Sequence, residues 1–566
     1  MPSLFDGPSL VDLLRTRAAE QPDAPAFVFL RDGDIEDARL TWSELDRRSR
    51  TIAAALQARV PAGSRALLVY PAGLDFIAAF FGCLYAGVIA VPAQPPLGGQ
   101  AQRGLARLRA IAIDADARIL LTTREGRWRP DSEHDVAAPG RTPIEWLTTD
   151  ELDLHGADGW RDTRAVPATV AFLQYTSGST AAPRGVVVTH GNLLHNLGAA
   201  FDLATPGPTS LSVSWLPATH DMGLIEGILQ PVYRGHMAVL MAPTAFLQRP
   251  SRWLSAISTY RATRSGGPNF AFDLATRKVT DDQAAALDLS SWRDAYNGAE
   301  PIRSDTMAAF TRRFAHAGFR PSSFRPCYGL AESTLVVSSG RWSADDTSPV
   351  SCGRPAGGLT VIAVDPVTGT RCADRVAGEL WVSGPSVAAG YWRQSDETAR
   401  VFEARTADGL GPFLRTGDLG HIDRGEVVVT GRIKDVLIVR GRKHFPQDLE
   451  HTATCAHAAL RPGGASAVAL GGDSAGDRIA VAVEVDPRRV TSAADADSII
   501  STIRSAVHDM HGVQLTAVAL LAPGGVPKTT SGKVQRYLCR EGWATNALPM
   551  LAEWRAVDQP AVAAVV

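Results

Sequence analysis

The sequence predicts an α/β protein with a large N-terminal multi-sheet α/β domain and a small C-terminal α+β domain. Three observations predict it. Strand-like and helix-like patterns alternate from the N-terminus onward, as they do where parallel sheets carry helices on both faces. The chain has 566 residues, whereas single cores stop growing at roughly 250–300, so two or three domains are expected. A strand-like EVVVT at 426–430 is followed by GRIK at 431–434, after which the chain has strands and a helix of its own, enough for a separate domain. The expected boundaries are 1–430, 431–434 and 435–566.

The elements follow in order. TWSE at 41–44 is a capping-box signature, and Leu45, Ile52 and Leu56 follow at helical spacing. ALLVY at 66–70 lies between Gly63 and Pro71 and reads as a buried strand. The uncharged run 76–91 contains Gly82 and Gly87 and ends at Pro92. It falls short of the ~20 residues that span a bilayer and reads as a buried helix leading into a short strand. FLQY at 172–175 and VVV at 186–188 read as strands flanking a turn. In the C-terminal part, 466–470 and 479–485 read as strands and 493–511 as a helix, while the tail from 544 is weakly patterned.

Composition narrows the function classes. The formal charge is −2 and 20% of residues are charged, so no strong field recruits nucleic acid or an anionic membrane. Six widely spaced cysteines without a CxxC pair read as reduced thiols, not a disulfide framework or zinc site. Asp6, Asp12, Arg15 and Arg17 interrupt any apolar N-terminal stretch, against a signal peptide. A cytoplasmic location is expected.

The strongest local motif is YTSGSTAAPRGVVVTH at 175–190. Hydroxyls and glycine after a strand can wrap N–H and O–H donors around phosphate oxygens. The GxxxxGK[ST] loop is absent, and a polar surface turn would have the same composition. Further motifs follow: WLPATHDMGL at 215–224, GPNF at 267–270, NGAEP at 297–301, CYGLAE at 327–332, GPSVA at 384–388 and RTGD at 415–418. The series ends with GRIKD at 431–435, RGRKHFPQD at 440–448 and KTTSGKVQR at 528–536.

This ordered set resembles the acyl-adenylate-forming superfamily, and within it the fatty acyl-AMP ligases, over essentially the whole chain. The resemblance implies the adenylate-forming enzyme fold, with a mobile C-terminal domain and the nucleotide at the domain junction. It implies ATP-dependent conversion of a fatty or related carboxylic acid to acyl-AMP and pyrophosphate. Acyl transfer to the phosphopantetheine thiol of an acyl carrier protein would follow. Such chemistry needs charge neutralisation, because a carboxylate is a poor nucleophile toward a phosphate anion.

By that resemblance Thr176, Ser177, Gly178, Ser179 and Thr180, with Gly185, grip the phosphates. Glu332, with Thr176, coordinates Mg²⁺. Cys327, Tyr328 and Gly329 with Asn297, Gly298, Ala299 and Glu300 surround the adenine, Tyr328 offering a stacking face. Asp418 accepts from the ribose hydroxyls and Arg432 reaches ribose or phosphate. Lys533, in a Gly/Ser/Thr-rich loop, bridges the substrate carboxylate and α-phosphate. His220 lies near the carboxylate, while Asp221, Met222, Gly223, Ile225 and Phe270 help wall the acyl pocket. Lys434 is the hinge about which the small domain turns between half-reactions. Read alone, Glu332 also fits a solvated helix end, Asp418 a turn or cap, Lys533 an exposed loop and His220 a core histidine.

Two positions depart from the family pattern. Ala181 and Arg184 stand where Gly and Lys are usual, and Arg keeps the charge with a different shape. The insertion that these ligases carry after YGLAE has only 339–349 to occupy, a segment that would not exclude free coenzyme A. An acyl-CoA synthetase and an idle nucleotide- or acyl-binding homologue are therefore the alternatives. Pyrophosphate release separates the second from an enzyme, and a coenzyme A acceptor assay identifies the first.

Overall fold

The computed structural model describes residues 5, 7–96, 101–126, 143–176, 183–203, 211–343, 349–440, 442–471, 478–528 and 532–556. The described chain separates into two compact units, one of residues 1–416 and 420–429, the other of 417–419 and 430–566. Residues 417–419 group with the second unit. Arg432 Nε lies 2.9 Å from Asp418 Oδ1, and Thr430 Oγ1 donates to the Leu419 carbonyl at 3.2 Å.

Among the described residues the first unit holds a six-stranded and a nine-stranded sheet, each with a parallel interior. In the smaller, Arg65–Val69 lies between Ile89–Ala93 and Ile119–Thr122, and Val170–Thr176 joins beyond Ile89–Ala93. Apart from Arg65 and the two ends of Val170–Thr176, these interior strands are buried, as strands covered on both faces should be. In the larger, Phe324–Gly329, Asp294–Asn297, Arg264–Gly267, Ser212–Ser214, Ala238–Met241 and Pro25–Arg31 run parallel.

The edges depart from the all-parallel expectation. Arg184–Thr189 pairs antiparallel with Val170–Thr176, Ile35–Thr41 with Pro25–Arg31, and Val336–Ser339 with Phe324–Gly329. Short connections reverse the chain at these points, and a short connection can only join antiparallel neighbours. A further sheet, Thr360–Val364, Gly378–Ser383, Leu414–Asp423 and Glu426–Arg432, exceeds the single strand read at 426–430.

Local signals are realised where they are strongest. Trp42–Gln57 is a helix with both halves of the capping box, Thr41 Oγ1 taking the Glu44 N–H and Glu44 taking the Thr41 N–H. The apolar run folds as the helix Asp75–Ala86 and the strand Ile89–Ala93. On neighbouring strands of the larger sheet, Arg264 pairs with Glu226 of the segment 222–229 and lies 3.6 Å from Asp294, which Arg325 also contacts at 2.9 Å. All four side chains are buried, an arrangement that is costly if any partner is removed.

The second unit has the hairpin Leu437–Val439 and Arg442–His444, and a sheet ordered Leu460–Ala469, Ile479–Val485, Leu515–Leu521, Met550–Arg555. The helix Ala493–His511 packs its Ile499, Ile500, Ile503 and Val507 into that core. The weakly patterned tail nevertheless supplies a strand. Met550–Arg555 pairs antiparallel with Leu515–Leu521. Its alternating burial is only partial, so its apolar pattern is faint. No helix among the described residues is long and apolar enough to cross a membrane.

Candidate active site

In the first unit, candidate residues of both large sheets lie at the carboxyl ends of parallel strands. Thr176 terminates Val170–Thr176, Asn297 terminates Asp294–Asn297, and Cys327, Tyr328 and Gly329 terminate Phe324–Gly329. The carboxyl ends of parallel strands are where α/β sheets bind ligands, because the chain diverges there and leaves a crevice. Ser177, Gly178, Ser179 and Thr180 lie outside the described residues.

The strand flanking the phosphate motif is closely fitted. Gly185 faces Tyr175 across the antiparallel pair, and a Cβ at Gly185 would come within 2.9 Å of the tyrosine ring. Tyr175 donates its hydroxyl to Asp114 at 2.6 Å. Arg184 pairs with Glu397 at 2.8 Å, and its guanidinium lies 5.6 Å from the centroid of the Tyr391 ring.

Gln174 Nε2 donates to the Thr219 carbonyl at 3.1 Å, so the phosphate-motif strand also holds the turn that carries His220. There His220 Nδ1 and Asp221 Oδ1 approach to 2.7 Å, and the Met222 N–H donates to Asp221 Oδ1, also at 2.7 Å. Met222–Leu229 is a π-helix, a form that recurs at functional sites and that periodicity does not reveal. A Cβ on Gly223 would lie 2.0 Å from the Pro217 carbonyl oxygen, so only glycine lets the turn close. Met222 and Ile225 are buried. Phe270 meets Trp215 edge-to-face at 6.0 Å, and Trp215 stacks on Phe246 at 4.0 Å.

The proposed adenine border is held from behind. Asn297 Nδ2 donates to Asn269 Oδ1 at 3.3 Å, and the Cys327 thiol donates to the Asn297 carbonyl at 3.3 Å. Gly298 packs so closely that a Cβ would sit 2.6 Å from Cys327 Sγ. Burial pushes the Cys327 thiol up to about 12, so it is a neutral donor and not a nucleophile. Ala299 holds φ +66°, a strained conformation of the kind retained at ligand-facing turns. Glu300 accepts the Phe270 N–H at 2.6 Å, thereby joining this segment to the helix Asn269–Lys278. Tyr328 is 8% exposed, so the face it offers is narrow.

Glu332 sits in the short 3-10 turn Ala331–Ser333. Its carboxylate accepts the Tyr391 hydroxyl at 2.9 Å, and its carbonyl accepts the Ala388 N–H at 2.9 Å. The turn is supported by residues distant from it in sequence. Thr334 donates to the Ser386 carbonyl at 2.6 Å, and Asn196 Nδ2 reaches both the Val336 carbonyl and Ser386 Oγ. His195 Nδ1 lies 2.7 Å from Ser386 Oγ, and burial lowers its pKa. Tyr391 and Asn196 were not singled out by sequence reasoning, and Ser386 only as part of GPSVA. The GYW at 390–392 following GPSVA was the one available signal.

The remaining candidates belong to the second unit. Asp418 is 4% exposed and pairs with Arg432, whose side chain is half exposed. Lys434 lies in the 3-10 turn Ile433–Asp435. Arg536 bridges this turn to Glu450: Nη1 is 3.0 Å from Asp435 Oδ2, and Nε and Nη2 each lie 2.7 Å from a Glu450 oxygen. Lys533 lies between Gly532, at φ +86°, and the bridge that pairs Val534 with Lys528. It is partly buried, which corrects the expectation of an exposed loop. The bridge and the adjoining helix Arg536–Ala544 draw the segment inward.

Comparison with known proteins accords with this geometry. Residues 14–392 match the family described as AMP-binding enzyme, and residues 434–553 match the Disco-interacting protein 2-like AMP domain. The medium-chain-fatty-acid–[acyl-carrier-protein] ligase JamA of Moorena producens is 42% identical, covering 97% of this chain and 96% of its own. The long-chain-fatty-acid–AMP ligase FadD28 of Mycobacterium tuberculosis is 37% identical, covering 96% and 99%. The crystal structure of a fatty acid AMP ligase from Legionella pneumophila superposes with a TM-score of 0.72 at 37% identity, over 97% of this chain and 98% of that one. The chain therefore belongs to the AMP-binding enzymes, among the fatty-acid–AMP and fatty-acid–[acyl-carrier-protein] ligases.

Proposed function

We propose that this enzyme uses ATP to convert a fatty acid to acyl-AMP with release of pyrophosphate. It then passes the acyl group to the phosphopantetheine thiol of an acyl carrier protein. The observation that carries this reading is the placement of Thr176, Asn297 and Tyr328 at the carboxyl ends of parallel strands. The similarity to fatty-acid ligases across nearly the full chain supports it.

In this reading residues 176–180 with Gly185 hold the phosphates, and Asn297–Glu300 with Cys327–Gly329 border the base. Asp418 takes the ribose hydroxyls, and Arg432 orients Asp418 or reaches phosphate. His220 and Asp221 stand at the carboxylate end of the acyl channel, which Met222, Gly223, Ile225 and Phe270 help to wall. Lys533 delivers positive charge to the oxygens joining carboxylate and α-phosphate as charge develops there. Lys434 is the hinge between a core at 1–430 and a C-terminal domain at 435–566.

Among the described residues no three His, Cys, Asp or Glu side chains form a metal cage. A magnesium ion that keeps waters and phosphate oxygens needs only one or two protein oxygens, and the carboxylate of Glu332 and the hydroxyl of Thr176 fit that requirement. Bound there, the cation would neutralise charge on the departing pyrophosphate. The location consistent with this chemistry is the cytoplasm.

The short 339–349 segment favours a second reading, in which free coenzyme A is the acceptor. Incubation with ATP, a fatty acid and each acceptor, followed by intact mass spectrometry, tests the reading. It expects acyl-AMP without an acceptor and an acylated carrier protein with one. Absence of pyrophosphate release with every acid would overturn it.

A further inference from the structure

We propose that Tyr391 is a positioning residue that orients Glu332 for a divalent cation and ties it to the phosphate-motif strand. The inference rests on the assignment of Glu332 to the cation made above.

The backbone around Tyr391 is fixed on two sides. The Val187 N–H donates to the Gly390 carbonyl at 2.9 Å, the Ala389 N–H to the Val187 carbonyl at 3.0 Å, and the Trp392 N–H to the Gly185 carbonyl at 2.8 Å. Residues 389–392 thus lie against the strand Arg184–Thr189, with Tyr391 opposite Val186. One residue earlier, the Ala388 N–H donates to the Glu332 carbonyl at 2.9 Å. The Tyr391 N–H donates to Thr398 Oγ1 at 2.9 Å, and its ring packs edge-to-face on Phe402 at 5.1 Å. The ring is 8% exposed, so its hydroxyl has a fixed aim. It donates to Glu332 Oε1 at 2.9 Å.

A carboxylate on a two-torsion stem rotates unless something holds one oxygen. A fixed phenol on one oxygen turns the other outward, and such outer partners orient a metal-binding carboxylate. A tyrosine phenol carries its proton at neutral pH and remains a donor. The Arg184 guanidinium over the same ring, paired with Glu397, adds a third link between the phosphate motif and the cation ligand. Displacement of the 184–189 strand would reach Glu332 through residues 388–391. This gives Arg184, the departure from the usual lysine, a role in supporting Tyr391.

The test uses the full chain carrying Tyr391→Phe, which removes the donor and keeps the ring. Mn²⁺ binding is measured by electron paramagnetic resonance with a non-hydrolysable ATP analogue, beside the Mg²⁺ dependence of ATP–pyrophosphate exchange. We expect Mn²⁺ binding to weaken about tenfold, with a matching rise in the Mg²⁺ half-saturation and a nearly unchanged rate at saturating Mg²⁺. The double variant with Glu332→Gln should bind Mn²⁺ no more weakly than Glu332→Gln alone. Wild-type Mn²⁺ binding by Tyr391→Phe, with or without a lowered melting temperature, overturns the proposal, as does additivity in the double variant. If Glu332→Gln itself leaves Mn²⁺ binding and the Mg²⁺ dependence unchanged, the assignment of Glu332 fails first.

Discussion

Arg536 Nη1 lies 3.0 Å from Asp435 Oδ2 while the other edge of the same guanidinium grips both oxygens of Glu450. One arginine, three residues past Lys533, therefore anchors the residue that follows Lys434. Glu450 also accepts the Ala467 N–H at 3.0 Å, extending the anchor to the sheet. Removing the guanidinium would leave two mostly buried carboxylates facing each other. Arg536→Ala should destabilise the second unit by about 3 kcal/mol, and Arg536→Lys by less, because charge survives without the fork. Denaturant unfolding of the full chain, followed by a probe in the second unit, checks the order of the two variants.

Lys533→Ala should abolish acyl-AMP formation while leaving the fold and ATP affinity nearly intact. A side chain that acts on developing charge contributes roughly 10²–10³ in rate. Single-turnover adenylation with ATP titration by fluorescence separates the two quantities, and near-wild-type adenylation would remove Lys533 from the mechanism.

Lys434→Pro should separate the half-reactions. Asp435 is held within its unit by Arg536, so rotation about the linker must fall at or before Lys434. Proline fixes φ near −65°, sparing adenylation and slowing acyl transfer. Equal losses in both steps would mean general damage.

Acid should release the N-terminal helix through His190. The His190 ring is 1% exposed and accepts the Leu10 N–H on Nδ1 at 3.1 Å, at the start of the helix Leu10–Glu20. Burial lowers its pKa to about 4 from the ordinary 6.5. Because the folded value is depressed, the unfolded chain binds the proton more readily. Stability is full above pH 6.5 and declines as pH falls toward 4, by about 3 kcal/mol in all. His190→Gln, which can still accept the Leu10 N–H, should flatten the fall in melting temperature between pH 6.5 and 4. An unchanged slope would place the acid-sensitive group elsewhere.

Much of the fold was legible because its signals are local. The capping box at Thr41 and Glu44 needs only residues three apart, and the helix Ala493–His511 shows apolar periodicity closed by Gly512 at φ +67°. The C-terminal strand was missed because Met550–Arg555 lies at a sheet edge and buries its side chains only in part. The π-helix at Met222–Leu229 has no periodic signature of its own. The candidate site was legible as motifs but not as a network. Tyr391 and Glu332 are 59 residues apart, and only folding brings the 389–392 segment onto the phosphate-motif strand. Asn196 reads as an ordinary polar residue on a helix until its amide is seen bridging Val336 and Ser386.

The central claim is most directly tested by offering the two acceptors side by side. A phosphopantetheinylated carrier protein and free coenzyme A are supplied at equal concentration with ATP and fatty acid, and each acyl product is timed by intact mass spectrometry. Arg440, Arg442 and Lys443 form an exposed basic cluster on the hairpin after Lys434, suited to the acidic surface of a carrier. The account predicts carrier acylation at least about tenfold faster than coenzyme A acylation, with the advantage shrinking as salt brings the Debye length below ~10 Å. Equal rates with coenzyme A at low and high salt would contradict it and make the enzyme an acyl-CoA synthetase.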